Sequence, residues 1–348
     1  MQRLRTVFSL LLSLGIALLS SGYGHTKDKP VHLRLGTLSL QSGSVFQLAE
    51  DFGYFQEEGL STEFHIFPSA QKIALAVASN DLDIGLTGIT AAVFNLAGHG
   101  KLKLIAGNFR EEPGWEGSAI VVSNKAWREG LHHPRQLAGH TLAVTDIGST
   151  LHFTAGRISD KYAFPSGSIK PIPLHSFPEI FTALATDQVD SSIVPGMLAH
   201  RMEKKKNGHI IGWVSEETPW QVTGLLVSSR LLTQDHQTVE KFLHAFRKGS
   251  RLYHESFNQV PPEANLKNLA DGKQPLRQVT ESMQQFIAPV MTAEQMVRYP
   301  LYMDIDARLD LKSVEEQLRW YQEQGMVNRR VTLDQVIDKP LVSSFTTP

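Results

Sequence analysis

Residues 76–83 read AVASNDLD, and 107 positions later residues 183–190 read ALATDQVD. At the same offset the stretch Arg34–Thr37 aligns with Thr141–Val144, and each is followed by a turn that contains glycine and serine. Apolar alternation in these stretches predicts strands, and the alanine-rich runs predict helices. Strands that alternate with helices indicate a mostly parallel sheet covered by helices. The repeat therefore predicts two α/β lobes of similar construction, with chance similarity of two α/β segments as the alternative.

Two further strand-like stretches lie on either side of the second copy of the repeat: Gly117–Ser123 precedes it and Val222–Ser228 follows it. If the chain crosses between lobes at both of them, the first lobe is discontinuous and the two strands act as a hinge. We therefore expect lobe 1 to begin at residues 30–116, lobe 2 to span residues 117–221, and residues 222–348 to return to lobe 1 and add C-terminal helices.

Composition restricts the classes of function. The 348 residues are 41% hydrophobic, with Lys+Arg 34 against Asp+Glu 35, which is typical of a globular chain of about two domains. The even charge balance argues against a nucleic-acid partner. The chain has no cysteine, which excludes disulfides, thiolate zinc sites and cysteine nucleophiles. It has none of the common hydrolase, zinc-protease or nucleotide motifs, so we expect a binder with no cofactor and no metal.

The first 24 residues predict an export signal. Arg3 and Arg5 precede the apolar run Val7–Leu19, and small residues follow up to Gly24. This order is typical of a signal peptide, and the run is too short to span a bilayer, which takes about 20 residues. We expect cleavage near Gly22 or Gly24 and a mature protein in a bacterial periplasm.

Candidate binding residues lie in the loops that follow the predicted strands, because ligands of open α/β sheets bind beyond the carboxyl ends of the strands. Most of these loops combine glycine with a small hydroxyl and precede a helix, whose first N–H groups attract anions. Serine and threonine are also ordinary helix caps, so capping and binding both remain open. The candidates are Ser39, Gln41, Ser42, Gly43, Thr87, Gly88, Thr90, Asn108, Gly148, Ser149, Thr150, His152, Pro195 and Trp220.

Two residue types among or beside these loops have alternative interpretations. His152 follows the Gly148–Thr150 loop and is either a donor to an oxyanion or an ordinary surface or core residue. Trp115, Trp213 and Trp220 flank the predicted hinge, where they either stack on the carbon portion of a ligand or pack in the core.

Several segments resemble one known family. Phe52–Leu60, Pro134–Val144 and Gly148–Phe153, together with the signal peptide, resemble the periplasmic substrate-binding proteins of nitrate/sulfonate/taurine-type ABC importers, within the thiamine-pyrimidine-precursor-binding-like superfamily. The resemblance implies a type II periplasmic-binding-protein fold, in which two α/β lobes joined by a two-strand hinge close on a small molecule. It also implies that the Gly148–Thr150 loop with His152 receives an anionic group, and that Ser42, Gly43, Thr87, Gly88 and Thr90 occupy the corresponding loops of the first lobe.

On this resemblance we expect the solute-binding component of an ABC importer, a monomer that delivers an aliphatic sulfonate or taurine-like anion to a permease. Family members that bind sulfonates often carry an aromatic or acidic residue before the proline where this chain has Val194, which argues against recognition of an amine. The alternatives are a binder of a heteroaromatic nutrient such as a thiamine pyrimidine precursor and a periplasmic ligand sensor. A pyrimidine synthase is disfavoured because that enzyme depends on a cysteine-rich segment.

Overall fold

The structure is a computed structural model, and it describes residues 29–287 and 291–342. The predicted signal peptide, residues 1–24, lies outside the described residues. Alternating apolar residues form a first five-stranded sheet with the order β2-β1-β3-β12-β4, in which β1, β2 and β3 are parallel and β12 runs antiparallel to both of its neighbours. Its strands are β1 (Val31–Thr37), β2 (Leu60–Ile66), β3 (Ile84–Gly88), β4 (Leu102–Gly107) and β12 (Thr223–Ser228).

A second five-stranded sheet has the order β10-β6-β9-β7-β8. Read from β8, it repeats the first sheet strand for strand: three parallel strands, one antiparallel strand and an outer strand. Its strands are β6 (Ser118–Val122), β7 (Thr141–Val144), β8 (Lys170–Pro173), β9 (Ser191–Pro195) and β10 (His209–Trp213). The two copies predicted from the 107-residue offset are therefore confirmed as equivalent sheets.

The connection between the sheets differs from the prediction. Gly117–Ser123 and Val222–Ser228 were expected to cross between lobes, but β6 lies wholly in the second sheet and β12 wholly in the first. The crossings come just before them, where a small third sheet pairs β5 (Phe109–Glu111) with β11 (Trp220–Gln221) and with β13 (Tyr302–Met303). Apolar alternation marks a strand but does not reveal which sheet it joins, so the predicted position of the crossings was wrong.

Hydroxyl side chains begin several helices. Thr90, Ser149 and Ser176 each accept a hydrogen bond from the backbone N–H three residues later. The helices are α1 (Ser44–Asp51), α2 (Tyr54–Glu57), α3 (Ala70–Ala78), α4 (Ala91–Gly98), α5 (Asn124–Arg128), α6 (Thr150–Lys161), α7 (Phe177–Ala185), α8 (Gly196–Lys204), α9 (Val214–Glu217), α10 (Ser229–Gln234), α11 (His236–Phe257), α12 (Pro262–Ala270), α13 (Leu276–Phe286), α14 (Ala293–Arg298), α15 (Leu311–Glu323) and α16 (Leu333–Val336), with 3-10 turns at Gln41–Gly43 and Pro134–Gln136.

Candidate functional site

A cavity of about 950 Å³, counting its open mouth, lies at the carboxyl ends of the strands of both large sheets. Leu38 follows β1, Gly88 ends β3, Thr145 follows β7 and Pro195 ends β9, and all four residues line the cavity. Because both sheets contribute from the same end of their strands, the cavity lies where an open α/β fold places its ligand.

The cavity wall is mostly apolar and uncharged. Among the described residues no Lys, Arg, His, Asp or Glu lines it. Hydroxyl and amide side chains supply hydrogen-bonding groups, and a wall of this kind accommodates a ligand with an apolar body and a compact polar end. The apolar side chains are Leu38, Leu40, Ala70, Phe109, Leu151, Phe177, Ile193, Pro195, Met197, Leu198, Val222, Ile287, Met291 and Leu301; the polar ones are Gln41, Ser42, Ser69, Ser118, Thr145, Thr150 and Thr223.

Four helices begin at this wall. The first residues of α3, α6, α7 and α8 line the cavity: Ala70, Thr150 with Leu151, Phe177 and Gly196. The first N–H groups of a helix have no partner within the helix, and the helix dipole places partial positive charge there. Within the described part of the chain, the N–H groups of Thr150 and Leu151 donate to no protein acceptor. The cavity thus offers an anion partial charges in place of a formal cation.

Five of the fourteen predicted site residues line the cavity: Gln41, Ser42, Gly88, Thr150 and Pro195. The other nine do not line it, and two of them hold its loops in place. Asn108 donates from Nδ2 to the carbonyl oxygen of Ser42 at 2.7 Å, and the Ser39 hydroxyl donates to the carbonyl oxygen of Phe286 at 2.6 Å.

Three more of these nine lie in the first sheet and its loops. The Thr90 hydroxyl caps α4, and Gly43 packs so closely that an added Cβ would lie 2.5 Å from the carbonyl oxygen of Leu38. The Thr87 hydroxyl is buried and has no hydrogen-bond partner among the described residues. None of the three lines the cavity.

The Gly148–Thr150 loop makes a direct contact between the two halves of the molecule. The Ala91 N–H, at the start of α4, donates to the carbonyl oxygen of Gly148 at 3.0 Å. An added Cβ on Gly148 would lie 2.8 Å from the Cβ of Ala91, and one on Gly88 would lie 2.7 Å from Cγ2 of Thr150. Glycine at both positions therefore permits the close approach.

His152 closes the same loop. Its Nδ1 accepts from the N–H of Gly148 at 3.1 Å, and its own N–H donates to the Ser149 hydroxyl at 3.4 Å. Desolvation by burial lowers the pKa of His152, which favours the neutral ring with its proton on Nε2. His152 does not line the cavity, so in this structure it acts on the loop rather than facing the ligand space.

The C-terminal helix α15 supports this loop from behind. The Tyr321 hydroxyl donates to the carbonyl oxygen of Ser149 at 3.1 Å. The Trp320 ring lies over Gly156 of α6, where any side chain would overlap it, and meets the His152 ring edge-on at 5.5 Å. Contacts of α15 with α6, α4 and β11 show that this helix packs against both halves and their crossing.

The predicted tryptophans lie elsewhere. Trp220 is 3% exposed and packs in the core, and neither it nor Trp115 nor Trp213 lines the cavity. The aromatic rings of the wall belong to Phe109 and Phe177 instead.

Sequence reasoning missed the part of the wall that comes from the C-terminal helices. Ile287, Met291 and Leu301 close one side of the cavity. The buried Tyr253 hydroxyl donates to the carbonyl oxygen of Leu301 at 3.2 Å and accepts from Nε2 of Gln41 at 3.1 Å, which ties this side to the loop after β1. No local pattern signals such long-range contacts.

Two features are absent from the described residues. No cluster of three or more His, Cys, Asp or Glu has the geometry to hold a metal ion. No helix is both long and apolar enough to cross a membrane.

Solved structures with this fold include solute-binding proteins and an enzyme. An alkanesulfonate-binding protein, SsuA from Xanthomonas axonopodis pv. citri bound to MOPS, is 16% identical, with a TM-score of 0.66 over 91% of this chain and 99% of its own. The nitrate-binding protein NrtA from Synechocystis PCC 6803 gives 11% identity and a TM-score of 0.68 over 89% and 87%. The desulfurization enzyme DSZB gives 12% identity and a TM-score of 0.59 over 90% and 96%. These likenesses confirm the predicted periplasmic-binding fold.

Sequence comparison narrows the relationship. YtlA of Bacillus subtilis strain 168, named as a binding protein, is 27% identical over 210 residues. The alignment includes 59% of this chain, and the chain spans about 60% of the length of that curated relative. The family model described as NMT1/THI5 like matches residues 44–256, more than half of the chain. The chain therefore belongs to the NMT1/THI5-like family.

Proposed function

We propose that this protein is the periplasmic solute-binding component of an ABC importer and that it captures a small organic anion, such as an aliphatic sulfonate, for delivery to a permease. The observation that carries the proposal is the cavity at the carboxyl ends of the strands of both sheets, where four helices begin in an uncharged wall. An oxyanion head there receives helix N–H groups, and the apolar wall receives its carbon chain.

In this proposal the lobes close on the solute. Residues 30–116 and 222–348 form one lobe, and residues 117–221 form the other. A ligand that touches both lobes stabilises the closed state because it has a higher affinity for that state, and the permease recognises the closed form. The signal peptide of residues 1–24 directs export, and the protein acts as a monomeric binder and not as a catalyst.

A second candidate ligand is a heteroaromatic nutrient such as a thiamine pyrimidine precursor. The rings of Phe109 and Phe177 and the absence of a charged side chain among the described lining residues favour this ligand class. A planar neutral solute needs stacking surface and a few hydrogen bonds, both of which this wall supplies.

A thermal-shift panel tests the proposal. Mature protein is unfolded and refolded to remove bound solute, then heated with taurine, linear alkanesulfonates, sulfate, nitrate or pyrimidines. A ligand at about 100 times its dissociation constant adds about 2.7 kcal/mol of stability. For a chain of this size that is a shift of several degrees. We expect the alkanesulfonates to give this shift.

Thr150→Val removes one hydroxyl from the wall, and Thr182→Val is the matched control on the exposed side of α7. We expect the first change, and not the second, to reduce the ligand-induced shift. A response to pyrimidines alone would replace the anion with the second candidate, and no response to any compound would contradict both ligand classes.

A further inference from the structure

The cavity has one side at the crossing between the two large sheets and one side away from it. The crossing strands β5 and β11 continue into β4 and β12 at one edge of the first sheet, and the chain enters the second sheet through β6, near one of its edges. The opposite edges consist of β1 with β2 and of β7 with β8. Residues 69–71, after β2, and residues 146–148, after β7, therefore lie on the side away from the crossing, and we call them the outer rim.

The outer rim borders the cavity. Ser69 and Ala70 line it from the first half, and Thr145, directly before the second part of the rim, lines it from the other half. When two bodies rotate about a crossing, the atoms farthest from the crossing move most. If the halves separate as proposed above, the cavity therefore opens at the outer rim.

One side-chain hydrogen bond joins the two parts of the outer rim. Nε2 of Gln71 donates to the carbonyl oxygen of Ile147 at 2.8 Å, across 76 positions of sequence. An added Cβ on Gly148 would lie 3.9 Å from the same nitrogen, so the amide group lies against this loop. Gln71 does not line the cavity. The bond thus connects the halves without reaching the space for the solute.

Both partners of this bond are fixed in their own half. Gln71 is the second residue of α3, which packs on β3 of the first sheet. Ile147 lies in a turn that the N–H of Ser149 closes by donating to the carbonyl oxygen of Asp146 at 3.0 Å. Because a hydrogen bond is lost once donor and acceptor are more than about 3.5 Å apart, a separation of about 1 Å at the rim breaks it.

The other bonds to the same loop lie closer to the crossing. The Ala91 N–H, which bonds to Gly148, follows β3, the central strand of the first sheet. Tyr321, which holds the Ser149 carbonyl, belongs to α15, and this helix contacts β11 of the crossing. Rotation about the crossing moves these groups less than the outer rim. The Gln71 bond is therefore the most sensitive of the three to opening.

We propose that Gln71 is a latch residue, whose side-chain amide bonds to Ile147 only while the halves are closed and thereby slows the release of the solute. The bond favours the closed form without touching the solute, so the affinity rises with the closed population. The solute enters the open form, in which the bond is absent, so the bond changes the rate of release and not the rate of association. Gln71 is thus a positioning residue, and the inference rests on the function proposed above.

Binding kinetics with hexane-1-sulfonate as the probe test the latch. Gln71→Leu removes the donor and keeps a side chain of similar length. Gln56→Leu, at an exposed position of α2 in the same half, is the matched control. The chain has no cysteine, so a dye that is sensitive to its surroundings can be attached to Glu179→Cys at an exposed position of α7. Stopped-flow mixing then gives the rates of association and release.

The two rates are expected to respond differently. We expect Gln71→Leu to release hexane-1-sulfonate about five times faster than the wild type, which is the usual net effect of one hydrogen bond. Its association rate should stay within about twofold of the wild type. Gln56→Leu should match the wild type in both rates. An unchanged release rate in Gln71→Leu, or a loss of affinity that comes from slower association, would overturn the proposal.

Distances between spin labels test the latch in refolded protein to which no solute is added. Leu75→Cys on α3 and Glu179→Cys on α7 place one label in each half, both at exposed positions. We expect Gln71→Leu to shift the distances to longer values and Gln56→Leu to leave them unchanged. Equal distances in the wild type and Gln71→Leu would overturn the latch. Failure of hexane-1-sulfonate to bind the wild type would contradict the proposed anion, and these distances would still decide the role of Gln71.

Discussion

Asp83 and Asp190 are carboxylates at equivalent positions of the repeat. Each connects two strands within its own sheet, but the two use different partners. Each accepts from the backbone N–H of a residue 49 positions earlier, Arg34 at 2.9 Å and Thr141 at 2.8 Å. Beyond this shared bond, Asp83 pairs with the guanidinium groups of Arg34 and Arg230, whereas Asp190 accepts from the Thr141 hydroxyl.

The shared backbone hydrogen bond belongs to the fold, whereas the side-chain partners of the two acids are specific to each half. In both halves a backbone N–H bond to the carboxylate joins two neighbouring parallel strands, at the point where the later strand of the pair begins. The ionic partners differ because nothing in the strand pairing requires them. The half with two arginines has an acid whose loss leaves two cations without their partner, while the other half has mainly neutral hydrogen bonds.

Replacing these acids is expected to give the largest difference between the halves. Asp83→Asn leaves Arg34 and Arg230 without a counter-ion and is expected to cost about 2 to 3 kcal/mol of the free energy of unfolding, less than a fully buried pair because the arginines are partly exposed. Asp190→Asn loses hydrogen bonds to neutral groups and is expected to cost about 1 kcal/mol. Urea denaturation at neutral pH measures both losses.

The pH dependence of the Asp190 effect provides the control. Desolvation opposes ionisation of Asp190, but the hydrogen bonds from Thr141 and the nearby His140 outweigh it, so its pKa lies below the ordinary value. A lowered pKa gives stability that is present above the unfolded-state pKa and is lost as the acid is protonated. Asp190→Asn and wild type should therefore converge in strong acid. Equal losses for the two substitutions at neutral pH would contradict the distinction between the halves.

The glycines of the two halves offer a second comparison. Gly148 has a φ of +80° and faces Ala91, whereas Gly53 has a φ of +77° and no atom within 4 Å of an added Cβ. Gly53→Ala therefore measures backbone strain alone, about 1 kcal/mol. Gly148→Ala adds a clash at the contact between the halves and is expected to cost about 1 kcal/mol more. Thermal unfolding measures the loss of stability in both variants, and the difference between the losses gives the contribution of the contact between Gly148 and Ala91. Equal losses would show that this contact adds nothing to stability.

The smallest expected effect concerns the two serines at corresponding helix starts. Ser149 caps α6 through the N–H of His152, so Ser149→Ala is expected to cost about 1 kcal/mol. Ser42 lines the cavity, and no hydrogen bond from its hydroxyl is found among the described residues, so Ser42→Ala should leave stability within about 0.5 kcal/mol of wild type. Chemical denaturation distinguishes the two, and a larger loss for Ser42→Ala would reverse the assignment of the cap.

The sequence predicted the repeated features better than the unrepeated ones. The strands at Arg34–Thr37 and Thr141–Val144, and the equivalence of the two sheets, follow from periodicity and from a fixed offset, which can both be read directly from the sequence. Gln41 and Thr150 were correctly predicted to line the cavity because they lie in loops that follow strands, and the carboxyl ends of parallel strands meet at one edge of a sheet.

Features that depend on side-chain direction or on distant contacts were not predicted. Trp220 was expected near the ligand but lies in the core, because its sequence position does not determine which way its ring points. Leu301 lines the cavity, and its backbone N–H donates to the hydroxyl of Tyr253, which lies 48 residues earlier in the chain. The hydrogen bond from Gln71 to Ile147 spans 76 positions, and no local pattern reveals it.

The position of Trp320 makes its fluorescence a reporter of the Gly148–Thr150 loop. The indole lies against Gly156 and the His152 ring, and its neighbour in sequence, Tyr321, holds the Ser149 carbonyl. Any rearrangement of the Gly148–Thr150 loop alters the surroundings of this indole, and with them the colour and intensity of its emission. The other four tryptophans contribute background, which a Trp320→Phe variant identifies by subtraction. Events at the cavity can thus be followed in real time without attaching a dye.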